Sequence, residues 1–378
     1  MIRVLQFAGV INRYDFIDTI VQHADPGAFQ IGVCVGSAQN NIADPVYSAH
    51  TPRWVIGSVS RLTLLQRAWR LAHVLREWEA DILHTHHYNE AVIGWLATRM
   101  YPKTRLIVGR HYSDALYRLT SGIKRRVFLE VEQLVNRAAT RIIVPATYIF
   151  RLLTERQGIR TDKIDLISYG FEPAKYTLPS STEIGHVREE LALDGRFALG
   201  TFARLHEEKG HRYLLRAIAR LKSRLPDVLL LIVGEGPERA GIERQIREDC
   251  LDQHVRLTGW RRDAMTIMAA VDAVVHPSLH EAFSQAMVEA LWMRKPLVIT
   301  DVSGAPDIIR DGHNVMLVPR GDATALAAAI ERLAGDPGLR SRLGDAGRKY
   351  VEENLVIGKI IPKYEQSYIK AMGKELGA

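Results

Sequence analysis

Cysteine is nearly absent: Cys34 and Cys250 are the two in 378 residues. No disulfide framework, CxxC pair or zinc-finger spacing can be built from them, which points to a reducing compartment. No run approaches the roughly 18 consecutive apolar residues that a membrane-spanning helix needs. The stretch Met1-Ile2-Arg3-Val4-Leu5-Gln6-Phe7-Ala8-Gly9 is broken by Arg3 and followed by Arg13 and Asp15, so it reads as a first strand, not a signal peptide. There is no GxxxxGK[ST] phosphate loop. No Asp-x-Asp carboxylate pair occurs either. Low-complexity segments and repeats of roughly 20–50 residues are lacking too. Glycine (28) and proline (15) follow no period, and 47% hydrophobic with 25% charged residues excludes collagen, coiled coil and disorder.

The chain does have length enough for two domains, at roughly 100–200 residues each. Its net charge of +7 is unevenly spread. Between Met1 and Lys175, 22 basic residues face 15 acidic ones, and the remaining 28 of each sign cancel. Such an excess fits a half that meets an anionic partner, and equally an ordinary solvated basic face.

Short runs rich in β-branched residues alternate with helix-length segments. Strands are predicted at Ile2–Phe7, Phe29–Val35, Ile82–His84, Leu106–Val108, Ile142–Val144 and Ile164–Ile167. A second series is Ala198–Phe202, Val228–Val233, Val255–Thr258, Ala273–His276, Leu297–Thr300 and Val315–Val318. Between them lie helical patterns such as Leu62–Trp78, Ala115–Asn136, Arg212–Leu225, Ala282–Met293 and Ala323–Leu333, with Leu339–Tyr350 and Ile360–Met372 at the end. This alternation predicts an α/β protein of two doubly wound parallel sheets, with a cleft between them and ligands beyond the carboxyl ends of the strands. The expected division is 1–175 and 176–359, with the last helix, about 360–378, packing back on the first domain.

Three segments follow strands in the second half. His276-Pro277-Ser278-Leu279-His280-Glu281-Ala282-Phe283-Ser284-Gln285-Ala286-Met287-Val288-Glu289 opens a helix, so free N–H groups near Phe283, Ser284 and Gln285 suit a phosphate. Helical spacing would separate Glu281 from Glu289 by roughly 12 Å, too far for a glycosidase pair. They suit two hydroxyl-bearing ends of one long ligand, or are a helix-entrance acid and a solvated one. Phe202-Ala203-Arg204-Leu205-His206-Glu207-Glu208-Lys209-Gly210 offers a guanidinium fork and an ammonium for phosphate oxygens; alone it is weak. Val233-Gly234-Glu235-Gly236-Pro237-Glu238-Arg239 fails the dinucleotide fingerprint at Arg239 and reads as a tight turn with Pro237 opening a helix.

In this order and spacing the segments resemble the donor-binding half of retaining glycosyltransferases of family 4, whose GT-B fold has two facing Rossmann-like domains. The resemblance covers Phe197 to about Pro319 and includes Gly304-Ala305-Pro306-Asp307 and Asp311-Gly312-His313-Asn314. It implies a nucleoside-diphosphate sugar donor, UDP- or GDP-linked, with no required cofactor and no metal. Arg204 and Lys209 would bind the diphosphate and stabilise the leaving group. Glu281 would contact sugar hydroxyls, Glu289 the ribose, and the amides of Phe283, Ser284 and Gln285 the diphosphate. Gly259-Trp260-Arg261-Arg262 occupies the place of the family's base-binding loop, and Gly234 and Gly236 stand in its Gly-x-Gly-Pro. Where the family commonly has Glu-Gly-Phe-Gly, Ala282 and Ser284 add side chains beside the phosphate.

The N-terminal half matches less fully. Gly9 alone stands where a paired-glycine loop is usual, before Val10-Ile11-Asn12-Arg13. His111, in Val108-Gly109-Arg110-His111-Tyr112-Ser113, looks like the family's strand-end histidine, which would place it near the sugar and the leaving phosphate. His84-Thr85-His86-His87 invites three readings: a metal site completed by Glu90, cleft-lining contacts, or packing. Arg61, Arg67, Arg70 and Arg76 punctuate a helix carrying Leu64, Leu65, Trp69 and Trp78, and Lys124-Arg125-Arg126 precedes Val127-Phe128-Leu129. Each segment fits an anionic lipid surface, or an apolar core stripe with solvated arginines.

The expectation is a cytoplasmic enzyme, peripheral to the membrane, that moves a sugar with retention to a glycan, lipid-linked or other acceptor. Rival readings are a GT-B sugar-nucleotide epimerase or phosphorylase, and a non-catalytic binding protein. Nucleic acid is not expected as a partner, because no binding module accompanies the basic balance.

Overall fold

The computed structural model describes residues 1–10, 15–37, 51–57, 63–111, 122–281, 283–302, 307 and 311–373. Arg61, Asn12, Arg13, Tyr112, Ser113, Ala282, the 304–306 loop and positions 115–121 of an expected helix lie outside them. The chain divides into two compact units, Met1–Gly170 with Ile357–Ala378, and Phe171–Val356.

The first unit holds β1 (Ile2–Val10), β2 (Phe29–Ser37), β3 (Arg53–Val55), β4 (Ile82–His86), β5 (Arg105–Gly109), β6 (Arg141–Val144) and β7 (Ile164–Leu166). All pairs are parallel, in the order β3-β2-β1-β4-β5-β6-β7. Its helices are α1 (Asp15–His23), α2 (Leu64–Glu77), α3 (Tyr88–Met100), α4 (Gly122–Ala138) and the short α5 (Thr147–Arg151). β3 was not legible in the sequence, because three residues on a sheet edge carry no periodicity to read. β4 runs two residues past the expected His84, and all five of its residues are buried although three are polar.

α2 begins at Leu64, where Thr63 and Gln66 form a reciprocal capping box. Its arginines are not all solvated: Arg67 lies on the buried face, only 2% exposed.

The second unit holds β8 (Phe197–Phe202), β9 (Val228–Val233), β10 (Val255–Gly259), β11 (Ala273–His276), β12 (Leu297–Thr300) and β13 (Met316–Val318), again all parallel, in the order β10-β9-β8-β11-β12-β13. Its helices are α6 (Ser181–Glu190), α7 (His211–Leu221), α8 (Arg239–Glu248), α9 (Ala264–Ala270), α10 (Gln285–Trp292), α11 (Ala323–Gly335) and α12 (Pro337–Asn354). β9 reads Val-Leu-Leu-Leu-Ile-Val and is buried throughout, as a parallel strand covered on both faces must be. α13 (Ile357–Ala371) then belongs to the first unit, where Ile360, Ile361, Tyr364 and Tyr368 join Val4, Ile31, Ile82 and Ile107 in one core. Each such buried aliphatic chain contributes roughly 1.5–3 kcal/mol.

In both sheets the chain reverses its direction of travel at a central pair, β1 with β4 and β8 with β11. In open parallel sheets the carboxyl ends of such a pair are where a ligand site is expected.

Candidate active site

In the second unit the loop after β8 passes through a turn at Glu207–Lys209 to Gly210, whose φ of +68° favours glycine. Space requires glycine there as well, since a Cβ would stand 2.1 Å from the Pro277 carbonyl oxygen. Leu279 N–H donates to Glu208 O at 2.7 Å, which ties the loops after β8 and β11 together. Lys209 Nζ is thereby brought onto Glu281 Oε1 as an ion pair, the two side chains 14% and 10% exposed.

The same carboxylate oxygen accepts from Ser278 Oγ (3.1 Å) and lies 3.2 Å from His276 Nε2. Thr300 Oγ1 donates to Ser278 O at 2.5 Å and fixes that turn. Burial works against the Glu281 charge, but the hydrogen bonds and charges of His276 and Lys209 outweigh it and pull the carboxyl down to about 2. At neutral pH Glu281 is therefore an anion that accepts hydrogen bonds and a poor proton acceptor.

Glu281 is not helical. α10 starts at Gln285, with Ser284 as its cap accepting from Met287 N–H at 3.3 Å, so the axial spacing assumed for Glu281 and Glu289 does not apply. Glu289 Oε1 accepts from the Tyr176 hydroxyl at 3.0 Å, and Gln285 Nε2 donates to the same hydroxyl at 3.3 Å. Tyr176 is stacked on Phe171, which leans on Trp292. Sequence reasoning missed Tyr176, because it lies in an irregular stretch far from α10 in sequence.

Arg204 stands apart from this cluster. Its side chain is 71% exposed, with Glu208 3.5 Å away. Gly234 and Gly236 have a steric basis: a Cβ would fall 2.0 Å from Ala203 O and 2.4 Å from Leu205 O, where the loops after β8 and β9 cross. Trp260 is exposed. The Arg261 guanidinium is held by Asp263 (2.8 and 2.7 Å) and Glu190 (2.6 and 3.0 Å), and these hydrogen bonds raise its pKa further.

In the first unit, Gly9 at the end of β1 presses on Glu90 of α3: a Cβ there would stand 2.0 Å from Glu90 Oε1. Burial pushes the Glu90 carboxyl up. His84 and His86 project on one face of β4 with ring centroids 4.3 Å apart. His86 Nδ1 lies 2.9 Å from His111 Nε2, and His111 Nδ1 lies 2.8 Å from the Tyr169 hydroxyl. Burial drives His86 and His111 well below the usual imidazole range, reinforced by neighbouring rings, so both are neutral near pH 7. His87, between β4 and α3, has φ +70° and ψ 172°, a region nearly reserved for glycine that costs other residues about 1–3 kcal/mol. Among the described residues no group of three or more His, Cys, Asp or Glu is arranged to hold a metal ion.

Two family models match: a glycosyl transferase 4-like domain over residues 21–170, and glycosyl transferases group 1 over residues 196–336. The chain belongs to the group 1 glycosyltransferases. Among curated members, the lipopolysaccharide core biosynthesis glycosyltransferase LpsE of Rhizobium meliloti is 35% identical over 149 residues, 39% of this chain and 43% of LpsE. The match thus spans less than half of that relative. The 2-deoxystreptamine glucosyltransferase of Streptomyces kanamyceticus is 25% identical over 350 residues, 89% of this chain and 90% of the relative. Among solved structures, Anabaena Alr3699/HepE in complex with UDP superposes with a TM-score of 0.83 at 21% identity, covering 98% of this chain and 100% of HepE. This group 1 glycosyltransferase therefore shares their fold, the two Rossmann-like domains of GT-B.

Proposed function

We propose that this protein transfers a sugar from a nucleoside-diphosphate donor to a glycan, lipid-linked or other acceptor, with retention of anomeric configuration and without a metal. The observation that carries the reading is the buried Lys209–Glu281 pair beside the Ser284-capped start of α10. A fixed ammonium and a helix N-terminus at one point are the device expected where a diphosphate departs with growing negative charge. In this reading Lys209, Arg204 and the amides of Phe283, Ser284 and Gln285 take the diphosphate, and Glu281 takes sugar hydroxyls. Glu289, with Tyr176, takes the ribose. Trp260 offers its exposed ring to the base, with Arg261 as its braced neighbour. From the first unit, His111 stands near the sugar and the leaving phosphate, and Gly9, at the end of β1, helps to bind the donor.

An anionic Glu281 of low basicity fits front-face attack, in which the departing phosphate removes the acceptor proton. HepE has also been solved with UDP-glucose and with UDP and glucose, which supports a nucleotide-sugar donor for its structural relative. The relatives named for lipopolysaccharide core and capsular polysaccharide biosynthesis support a glycan or lipid-linked acceptor.

The first unit suits an anionic acceptor or lipid surface, with 25 basic against 16 acidic residues. α4 exposes Ile123, Val127 and Leu134 near Lys124, Arg125 and Arg126, and a groove of about 380 Å³ there is lined by Arg125, Arg126, Glu130, Gln133 and Arg156. No helix among the described residues is long and apolar enough to cross a membrane. We place the enzyme in the cytoplasm, at the inner membrane face.

Calorimetry with UDP, GDP, ADP and their sugars in EDTA, followed by NMR of the product's anomeric proton, tests the whole reading. Selective binding of one nucleotide and a product with the donor's own configuration are expected. An inverted product removes the mechanism, and no nucleotide binding at all removes the function.

A further inference from the structure

Six side chains of the first unit, Gln6, His84, His86, His111, Tyr169 and Tyr368, are joined in one hydrogen-bonded file. On β1, Gln6 donates from Nε2 to the Tyr368 hydroxyl of α13 at 3.0 Å. Its Oε1 faces His86 Nε2 at 2.8 Å. An amide oxygen only accepts, so the His86 proton sits on Nε2 and its Nδ1 is bare. That bare nitrogen faces His111 Nε2 at 2.9 Å, which must then carry the proton of its own ring. His111 Nδ1 is left as an acceptor, and the Tyr169 hydroxyl, 2.8 Å away, donates to it. The Tyr368 hydroxyl, having accepted from Gln6, donates to His84 Nδ1 at 3.1 Å. Gln6, His84, His86 and Tyr368 are all 0% exposed, so water does not compete for the bonds among these four.

We propose that Gln6, held by Tyr368, is a positioning residue that fixes the tautomer and ring orientation of His111. This rests on the reading above that His111 stands beside the transferred sugar. Turning the Gln6 amide over would reverse every proton in the file, so this one side chain decides the polarity of all the rings. Three consequences follow from the assignment. Both ring nitrogens of His111 are engaged within the first unit, so His111 acts through its position and does not collect the acceptor's proton. Tyr169, its own proton committed to His111, meets any further partner as a hydrogen-bond acceptor. α13 also gains a role beyond packing, because Tyr368 reaches Gln6 across 362 positions of sequence.

The test uses the full chain labelled with ¹⁵N-histidine, since two-bond ¹H–¹⁵N spectra distinguish the two neutral tautomers of each ring. In the wild type, His86 and His111 should both be Nε2–H. Tyr368→Phe keeps the ring that packs edge-on against Phe29 but removes the hydroxyl. It and Gln6→Met should give mixed tautomers at both rings. Their kcat should fall about ten- to a hundredfold, with the donor KM changed by less than about twofold. Gln6→Glu still accepts from His86 Nε2 and should restore the Nε2–H form and most of kcat. Nδ1–H rings in the wild type overturn the proposal, as do unchanged spectra in both Tyr368→Phe and Gln6→Met. If neither variant folds, the wild-type spectrum still decides it. A wild type without transferase activity overturns the functional reading, while the ring spectra judge the Gln6 assignment independently.

Discussion

Beyond the central strands of the first sheet the chain buries a file of neutral rings and one amide, with the Arg110–Glu132 ion pair beyond the neighbouring β5; beyond those of the second it buries a lysine with a carboxylate. The bulk charges are arranged the other way about. The first unit carries 25 basic and 16 acidic residues, the second 25 and 27. Neutral donors and acceptors bury at low cost once each is matched, which the Gln6–His86–His111–Tyr169 file achieves through neighbours alone. A buried ion pair must overcome desolvation of both charges, and Glu281 needs Ser278 and His276 as well as Lys209 to do so. Net charge thus reports on what a surface attracts, and says nothing about where a single cation is needed.

The comparison breaks most sharply at Lys209. Lys209→Ala or Glu281→Ala should lower transfer about a thousandfold, measured against donor turnover with circular dichroism to check the fold. Each single change should also destabilise by about 3–5 kcal/mol, because it strands a buried charge. The pair Lys209→Met with Glu281→Leu should recover most of that stability in urea melts and none of the activity.

Two glycines give the next effect. A Cβ at Gly210 meets a backbone carbonyl at positive φ, whereas one at Gly9 meets the end of the Glu90 side chain, which can turn away. Gly210→Ala should cost about 2–4 kcal/mol and Gly9→Ala about 1 kcal/mol. Denaturant melts that resolve the two units check this. Equal costs would mean that Glu90 is as immobile as backbone.

Acid should separate the units by a smaller margin. His84 is held down to about 3 by burial, so in the unfolded chain it takes up a proton from pH 6.5 downward while the folded ring does not. The first unit should therefore lose stability as pH falls below 6.5, by about 2 kcal/mol at pH 5 from His84 alone. Glu281, with its folded value near 2 and an ordinary value of 4.5, stabilises the second unit above pH 4.5 and stops doing so as pH falls toward 2. His211 at about 4 adds one ring's worth of the earlier loss to the second unit. Hydrogen exchange followed by mass spectrometry should show first-unit peptides opening first; simultaneous opening would refute the contrast.

The smallest effect concerns the basic surface. Lys124→Glu with Arg126→Glu should change stability by less than about 0.5 kcal/mol, since both side chains are exposed. It should reduce flotation with anionic liposomes. Unchanged flotation would return the charge of the first unit to plain solubility.

Much of this was legible beforehand for a definite reason. Buried parallel strands are continuous apolar runs, so β9 and β12 could be read off as Val-Leu-Leu-Leu-Ile-Val and Leu-Val-Ile-Thr. Lys209 and Glu281 were legible because each follows a strand within a few residues. β3 and the tail of β4 were not, being respectively too short and too polar. The burial of Arg67 was also hidden, because an arginine among leucines looks the same whichever way the helix face turns.

The sequence by itself determined the alternation of strand and helix, the winding of both sheets, the family, and which loops would carry cations and carboxylates. These depend on local periodicity and near-neighbour motifs, which a single chain displays. Only the tertiary structure decided that Lys209 meets Glu281, that Arg204 remains exposed, that Arg261 is held by Glu190 and Asp263, and that Tyr368 reaches Gln6. Those contacts join residues 71 or more positions apart in the sequence, apart from Asp263's, and their partners are chosen by the register of strands and the crossing of loops. No periodicity in one segment records where another will lie.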